Sequence, residues 1–181
     1  MYTLGEGVGN VSAMPAPQPI RRQYKDEVIE LLGNRGVSVN DIAELVMLIQ
    51  KSYLPNLTMD ACRRSVRKVL AKRETQNAIF TGVALDMLAE KGLLPAPLVD
   101  MLRQDDGLYG IDEVMALAIV NVYGSIGLTN FGYLDKSKPG VVGRLNDPRS
   151  GQVNTFLDDL VSAIAAAAAA RLAHHERDVA D

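Results

Sequence analysis

Apolar residues recur every three or four positions along most of this chain, which predicts consecutive amphipathic α-helices. Ser38 and Thr58 each precede such a segment and can cap its first turn. The predicted helices cover about residues 24–34, 38–53, 59–72, 74–91, 97–104, 111–123 and 155–177, with a bend or a second short helix after 124 and a loop over 136–153. No convincing alternation with a period of two is present. The pattern predicts an all-α fold, a compact single-domain bundle of several helices.

The two ends of the chain differ from this pattern in opposite ways. Residues 1–22 contain three glycines and then three prolines without apolar periodicity, which predicts a flexible N-terminal lead before a helical domain over 23–178. Near the other end, Ala165 to Ala170 are consecutive alanines. Alanine is the best helix former, and its small side chain lets neighbouring backbones approach closely. We therefore expect an Ala-rich C-terminal helix packed inside the bundle.

Composition narrows the class of protein. The formal net charge of −3 provides no general attraction to nucleic acid or to an anionic membrane. Cys62 is the single cysteine, which rules out an intramolecular disulfide and suits a reducing cytoplasm. Residues 115–134 are apolar but interrupted by polar residues and glycines, and residues 160–170 are shorter than the roughly 20 that a membrane span needs. Both segments are expected to be buried in protein, in a soluble cytoplasmic chain.

Two acidic pairs stand at the start of strongly apolar helices. Asp112 and Glu113 open one helix, Asp158 and Asp159 open the Ala-rich helix, and Asp135 precedes the long loop. Carboxylates in a first turn interact favourably with the helix dipole, so each acid alone is explained by capping. Several carboxylates together are also the ligands of hard divalent cations such as Mg²⁺. The sequence leaves both interpretations open, and the second indicates phosphate chemistry.

Basic and amide side chains supply the other parts of a phosphate site. The loop carries Lys136, Lys138 and Arg144, and we assign phosphate binding to Lys136 and Arg144. Arg73 and Asn77 share a helix face at a spacing of four residues. They are candidates for phosphate binding, although Asn77 could equally form a hydrogen bond within the bundle.

Longer motifs around these residues resemble the phosphatidylglycerophosphatase A family, and most closely its soluble branch, the low-temperature-requirement C proteins. The resemblance runs from about residue 24 to 174. Its most specific segments are residues 72–74, 76–78, 107–110, 121–127, 132–136 and 156–163. It implies an all-helical fold and Mg²⁺-dependent hydrolysis of phosphatidylglycerophosphate to phosphatidylglycerol. Asp112, Glu113, Asp135, Asp158 and Asp159 match the acidic motifs of the family, whereas residues 1–22 match its Gly/Pro-rich N-terminal motif poorly.

The leading hypothesis is therefore a Mg²⁺-dependent phosphatase. Asp112, Asp158 and Asp159 are the expected metal ligands, while Glu113 and Asp135 bind metal or act as a base. A metal-bound water is the favoured nucleophile, because bound metal lowers the pKa of water, and an aspartate is the alternative. The expected partner is an anionic phosphate ester, with a lipid headgroup reached by peripheral contact with the inner membrane surface as the leading expectation. Nucleic acid is not an expected partner, and the Ala-rich helix is compatible with a homo-oligomer.

Two rival hypotheses stay open. One is a non-catalytic helical protein of stress responses or protein interactions, in which the acids only cap helices. The other is an all-α nucleotide pyrophosphohydrolase, which also uses clustered acids and Mg²⁺ but usually carries a Glu-x-x-Glu pattern on one helix, which the acidic pairs of this chain do not form.

Overall fold

A computed structural model of the protein describes residues 24–177 and, within that range, contains α-helices, two short 3-10 helices and no β-strand. The prediction of an all-α single domain is confirmed. The predicted lead over 1–22 lies outside the described residues. The helices are α1 Lys25–Asn34, α2 Val39–Gln50, α3 Met59–Leu70, α4 Arg73–Glu90, α5 Leu98–Gln104, α6 Ile111–Val120, α7 Gly124–Ser137, α8 Val141–Leu145 and α9 Leu157–Arg177; the 3-10 helices are Asn121–Tyr123 and Pro148–Ser150.

Local sequence accounts for the clearest helix starts. Ser38 accepts a hydrogen bond from the Asp41 backbone N–H while the Asp41 carboxylate accepts one from the Ser38 N–H, a complete capping box. Thr58 caps α3 by accepting a hydrogen bond from the Ala61 N–H, without the reciprocal bond of a capping box. The region predicted as a loop over 136–153 differs from expectation. It contains α8, because Val141, Val142 and Leu145 turn toward the core and are buried there.

Helix α9 is the central element of the fold. Its residues from Leu160 to Ala170 are fully buried, and α2, α3, α4, α6, α7 and α8 all pack against it. A helix surrounded on all sides needs small side chains where its neighbours crowd it. The run Ala165–Ala170 meets that need. The predicted Ala-rich core helix is thus the axis of the bundle, and its N-terminal end carries Asp158 and Asp159.

Helices α6 and α7 form a hairpin over α9. The stretch Ile111–Ser137 is apolar and long enough to cross a membrane by length and composition alone, and 28% of its most apolar window is buried. Asp112 and Asp135, near its two ends, nevertheless line one small pocket. About 23 residues of straight helix would place them roughly 35 Å apart. The chain therefore reverses between the two helices, at the 3-10 turn and Gly124, whose φ of 67° lies in the left-handed region.

Candidate active site

The first turn of α9 is held by a carboxylate from another helix. Asp86 of α4 is fully buried, and its two oxygens each accept a backbone hydrogen bond, from the Phe156 N–H and the Leu157 N–H, both at 3.1 Å. Burial raises the pKa of Asp86 to about 8, against the two N–H donors and the Arg35 charge. Asp86 satisfies donors that a helix start otherwise leaves unpaired, so it fixes where α9 begins.

A glycine brings α4 close enough for this contact. A Cβ atom at Gly82 would lie 2.7 Å from Leu160 Cδ1 and 2.9 Å from Phe156 Cβ. These distances are shorter than carbon atoms tolerate, so the absence of a side chain at position 82 allows the backbone of α4 to rest on the first turn of α9.

Arg35 fastens the segment that enters α9. Its guanidinium Nη2 donates to Glu90 Oε1 at 2.6 Å, to the Val153 carbonyl at 2.8 Å and to Asn154 Oδ1 at 2.8 Å. Arg35 is itself buried. The hydrogen bond with Arg35 helps to lower the pKa of Glu90, although burial alone would raise it. These contacts of the buried Arg35 side chain join the α1–α2 connection, the end of α4 and the chain before α9, and so fix the segment that leads to the acidic pair.

An acidic pocket of about 110 Å³ opens at this end of α9. Its wall is built by the loop before α6, the first turn of α6, the end of α7 and the first turn of α9. Seven carboxylates and one ammonium group line it. The lining residues are Asp105, Asp106, Gly107, Gly110, Asp112, Glu113, Asp135, Lys138, Asp158 and Asp159.

Lys138 is the cation of the acidic pocket. Its Nζ lies 2.8 Å from Asp158 Oδ2 and 3.5 Å from Asp135 Oδ1. Burial alone would lower its pKa, but the hydrogen bond with Asp158 and the nearby carboxylate charges raise it. Lys138 and Asp105 are the two non-glycine residues with positive φ among the described residues, at 42° and 50°. Both line the acidic pocket, and strained backbone of this kind concentrates at functional sites.

Asp158 is held as an acceptor and does not cap its helix. Its Oδ2 accepts hydrogen bonds from Lys138 and from the Asn146 amide. Thr155, which could have formed a capping box with Asp158, instead donates its hydroxyl to the Leu102 carbonyl at 2.7 Å. The capping role belongs to Asp86. The geometry therefore disfavours the interpretation of Asp158 as a simple helix cap.

The carboxylates of the pocket destabilise one another's charge. Burial raises the pKa of Asp159 to about 8, with further contributions from the charges of Asp158, Asp135 and Asp112. Burial also raises the pKa of Asp158 to about 6, although Lys138 opposes that shift. The pKa of Asp112 is raised, chiefly by burial and against the backbone N–H groups of Glu113 and Asp112. The pocket thus holds more negative charge than Lys138 balances.

The chemistry of the side chains in the acidic pocket is suited to binding a divalent cation. The Oδ1 atom of Asp112 is buried without a hydrogen-bond partner, and buried polar atoms of this kind require an explanation such as an ion. Carboxylate oxygens are the ligands that Mg²⁺ takes. As the side chains stand, no group of three or more Asp, Glu, His or Cys within the described residues is arranged to hold a metal ion. Ligation would therefore need rotation of these carboxylates and release of Lys138 from Asp158.

The structure separates the residues predicted from sequence into two groups. It brings Asp112, Glu113, Asp135, Asp158 and Asp159 together in the acidic pocket. The four residues predicted to bind phosphate do not line it. Lys136 is exposed at the end of α7, Arg144 pairs with Asp41 at 2.9 Å, and Arg73 and Asn77 are exposed in the first turns of α4.

Three pocket residues were missing from the predicted site. Lys138 stands in the same segment as Lys136, but its place in the pocket follows from a left-handed backbone that sequence alone does not indicate. Asp105 and Asp106 lie between the helices predicted over 97–104 and 111–123 and were not among the predicted site residues. The sequence feature that could have identified them is their position only a few residues before Asp112.

Comparison with known proteins agrees with the resemblance found in the sequence. Residues 29–174 match the family described as Phosphatidylglycerophosphatase A. The uncharacterized protein YutG of Bacillus subtilis is 61% identical over 143 residues, which cover 79% of this chain and 86% of that protein.

Two solved structures share the fold. The low temperature requirement C protein from Listeria monocytogenes has a TM-score of 0.82 at 55% identity, over 84% of this chain and 96% of that one. A protein of unknown function from Bacillus stearothermophilus has a TM-score of 0.84 at 56% identity, over 86% of this chain and 97% of that one. The match to the family extends over most of the helical domain and includes every residue of the acidic pocket, and this chain therefore belongs to the phosphatidylglycerophosphatase A family.

Proposed function

We propose that this protein is a Mg²⁺-dependent phosphatase that hydrolyses a phosphate monoester, and that the substrate is phosphatidylglycerophosphate. The observation that carries the proposal is the acidic pocket, in which seven carboxylates from separate segments meet beside Lys138. Family membership supports the reaction class. The headgroup of such a lipid projects from a bilayer, so the substrate requires only peripheral contact with a membrane.

The proposed roles follow from position in the acidic pocket. Asp112, Asp158 and Asp159 would hold Mg²⁺, which when bound neutralises phosphate charge and lowers the pKa of water. Glu113 and Asp135 complete the ligand set or accept the proton of the attacking water. Attack by an aspartate instead of water is the alternative route.

Lys138 takes the phosphate-binding role that the sequence assigned to Lys136 and Arg144. Its ammonium pairs with Asp158 and Asp135 when no phosphate is bound. When a cation neutralises those carboxylates, Lys138 is free to donate to a phosphate oxygen. A lysine acts on phosphate as a point charge with three donors, which suits a group that must exchange one acceptor for another.

Phosphate release by the purified protein tests the proposal. The substrates are micellar phosphatidylglycerophosphate, soluble glycerol phosphates and nucleotides, each with Mg²⁺ and with chelator. We expect Mg²⁺-dependent release from the lipid. Release only from small phosphomonoesters would retain the acidic pocket and reject the lipid, and release of pyrophosphate from nucleoside triphosphates would favour the pyrophosphohydrolase. No release from any of them, with no stabilisation by Mg²⁺, would favour the interaction protein.

Variants locate the reaction. Asp158→Asn and Asp159→Asn are expected to abolish release while the helical circular dichroism spectrum persists. Asp60→Asn is the matched control, because Asp60 is exposed on α3 and pairs with Arg63 outside the acidic pocket. Full activity in both pocket variants would reject this assignment of the site.

A further inference from the structure

The α6–α7 hairpin presents an uncharged surface that the proposed chemistry does not use. From residue 114 to residue 134 the sequence contains no charged side chain. Several of its large apolar residues are nevertheless exposed: Val114 by 59%, Leu117 by 38%, Val122 by 63% and Leu128 by 43%. A contiguous exposed apolar surface on a folded domain marks an interaction site.

Helix α4 extends this surface. It lies beside α6, since the position of a Cβ at Gly82 is 3.4 Å from the Met115 sulfur. Beyond its first two residues, the exposed positions of α4 are Asn77, Thr81, Ala84 and Leu88, none of them charged. We call the outer surface of α4, α6 and α7 the hairpin face.

The two ends of the hairpin face carry opposite chemistry. At one end is the acidic pocket, with the exposed carboxylate Glu113. At the other end α4 begins, where the Lys72 ammonium lies 5.7 Å from the centre of the Tyr123 ring in the 3-10 turn. Lys72 also pairs with Glu74 at 3.9 Å, whereas Arg73 is exposed and has no salt bridge within residues 24–177.

The dimensions of the hairpin face suit a dimer. Helix α7 has 14 residues, which is about 21 Å at 1.5 Å per residue. Three helices spaced roughly 8–10 Å apart span about 25–30 Å. The flat outline is therefore on the order of 500–600 Å², and projecting side chains increase the accessible area beyond that. An ordinary specific interface buries about 800 Å² per partner.

Charge distinguishes a second copy from a membrane as the partner. Surfaces that dock on anionic headgroups are rimmed by lysine and arginine. One end of the hairpin face instead carries seven pocket carboxylates beside Lys136 and Lys138, and these carboxylates repel such headgroups as long as no cation neutralises them. In a two-fold pair the same surface meets itself, and an antiparallel arrangement lays the basic end of one copy over the acidic end of the other.

We propose that the hairpin face joins two copies of this chain about a two-fold axis, with Arg73 of each protomer beside the Glu113 carboxylate of its partner. Pairing removes the exposed leucines and valines from water. It also brings an arginine to the rim of a pocket whose lining contains Lys138 as its cation. A role for this arginine in binding phosphate rests on the proposed function, whereas the pairing of the two copies does not.

Sedimentation velocity of the full chain tests the pairing without substrate or metal. We expect a dimer for the natural sequence and monomers for Leu117→Glu and Leu128→Glu, each checked for folding by circular dichroism. Leu48→Glu is the matched control, since Leu48 is 54% exposed on α2, away from the hairpin face, and this variant is expected to remain a dimer. A natural chain that is monomeric throughout, or variants that both stay dimeric, would overturn the proposal.

A charge exchange tests the antiparallel arrangement. Arg73→Glu is expected to raise the dimer dissociation constant about ten- to twentyfold at low salt, the effect of losing the two exposed ion pairs that the two-fold axis generates. Adding Glu113→Arg to the same chain is expected to restore it. Further weakening in the double variant would overturn the arrangement. A monomer that co-sediments with vesicles of anionic phospholipid, and loses this through Leu117→Glu, would show a membrane surface in place of a dimer contact.

Discussion

Replacing Asp159 by asparagine is expected to stabilise the metal-free protein. Asp159 has only 4% of its surface exposed. Burial disfavours its ionised form, and the charges of Asp158, Asp135 and Asp112 disfavour it further. If these acids are placed to bind a cation, their mutual repulsion lowers the stability of the folded protein whenever no cation is bound. Asparagine keeps the shape of the side chain and removes the charge.

The size of the effect follows from the pKa of Asp159, which is about 8 in the folded protein against an ordinary value of 3.8. Between these values the unfolded chain releases this proton while the folded protein retains it. Stability therefore falls as pH rises, by about 1.4 kcal/mol per pH unit, and changes no further above pH 8. From pH 5 to pH 7 the loss is about 2–3 kcal/mol. For a chain of this length each kcal/mol changes Tm by about 2–4 °C, so the difference is roughly 4–12 °C.

Thermal melts followed by circular dichroism at pH 5, 6 and 7 measure this difference. In chelator, the Tm of Asp159→Asn is expected to exceed that of the natural sequence by an amount that grows with pH. Mg²⁺ is expected to raise the Tm of the natural sequence at pH 7 and to have little effect on the variant. Asp60→Asn removes an exposed carboxylate whose side chain is 76% accessible and is expected to show no such growth. A difference that stays constant from pH 5 to pH 7, or a variant less stable at every pH, would refute the reasoning.

Three further variants test the supports of the acidic pocket. Gly82→Ala forces a methyl group against Leu160 and Phe156 and is expected to cost about 1–3 kcal/mol; an unchanged urea midpoint would contradict the close approach of α4 to α9. Asp86→Asn replaces one acceptor oxygen by an amide NH₂ group, which then faces a backbone N–H whose hydrogen bond Asp86 would have accepted. The expected loss in the free energy of unfolding is about 1–3 kcal/mol, measured with urea. Equal stability would count against Asp86 as the cap of α9. Lys138→Met is expected to raise KM for the phosphomonoester about ten- to a hundredfold, the effect of losing a charged hydrogen bond, whereas unchanged KM and kcat would remove Lys138 from phosphate binding.

The helices were predictable because their signals are local. Ser38 and Thr58 cap the helices that follow them, and apolar residues at helical spacing mark the buried faces. Helix α8 was missed, because its five residues lie among glycines, a proline and charges and owe their form to burial of Val141, Val142 and Leu145. That burial depends on packing against α9, a separate helix that begins 12 residues after α8 ends.

Four acids of the site were predictable from their position at the starts of apolar helices and Asp135 from its place before the predicted loop, and all five line one pocket. The residues that position these acids were not predictable from the sequence. Both Asp86 and Gly82 lie within α4. Asp86 accepts hydrogen bonds from Phe156 and Leu157, and Gly82 lies against Phe156 and Leu160, so these contacts join residues about 70 to 80 positions apart in the sequence. Lys138 enters the pocket through a left-handed backbone angle. The periodicity of apolar residues indicates which residues share a helix face, but it does not indicate which helix faces pack against each other.

The central claim is that the acidic pocket is a Mg²⁺-dependent phosphatase site. The most direct measurement is phosphate release from phosphatidylglycerophosphate by the natural sequence, Asp158→Asn and the control Asp60→Asn, with Mg²⁺ and with chelator. Release is expected from the natural sequence and from Asp60→Asn only when Mg²⁺ is present, and none is expected from Asp158→Asn. Release that persists in chelator, or in Asp158→Asn at the rate of the control, would contradict it.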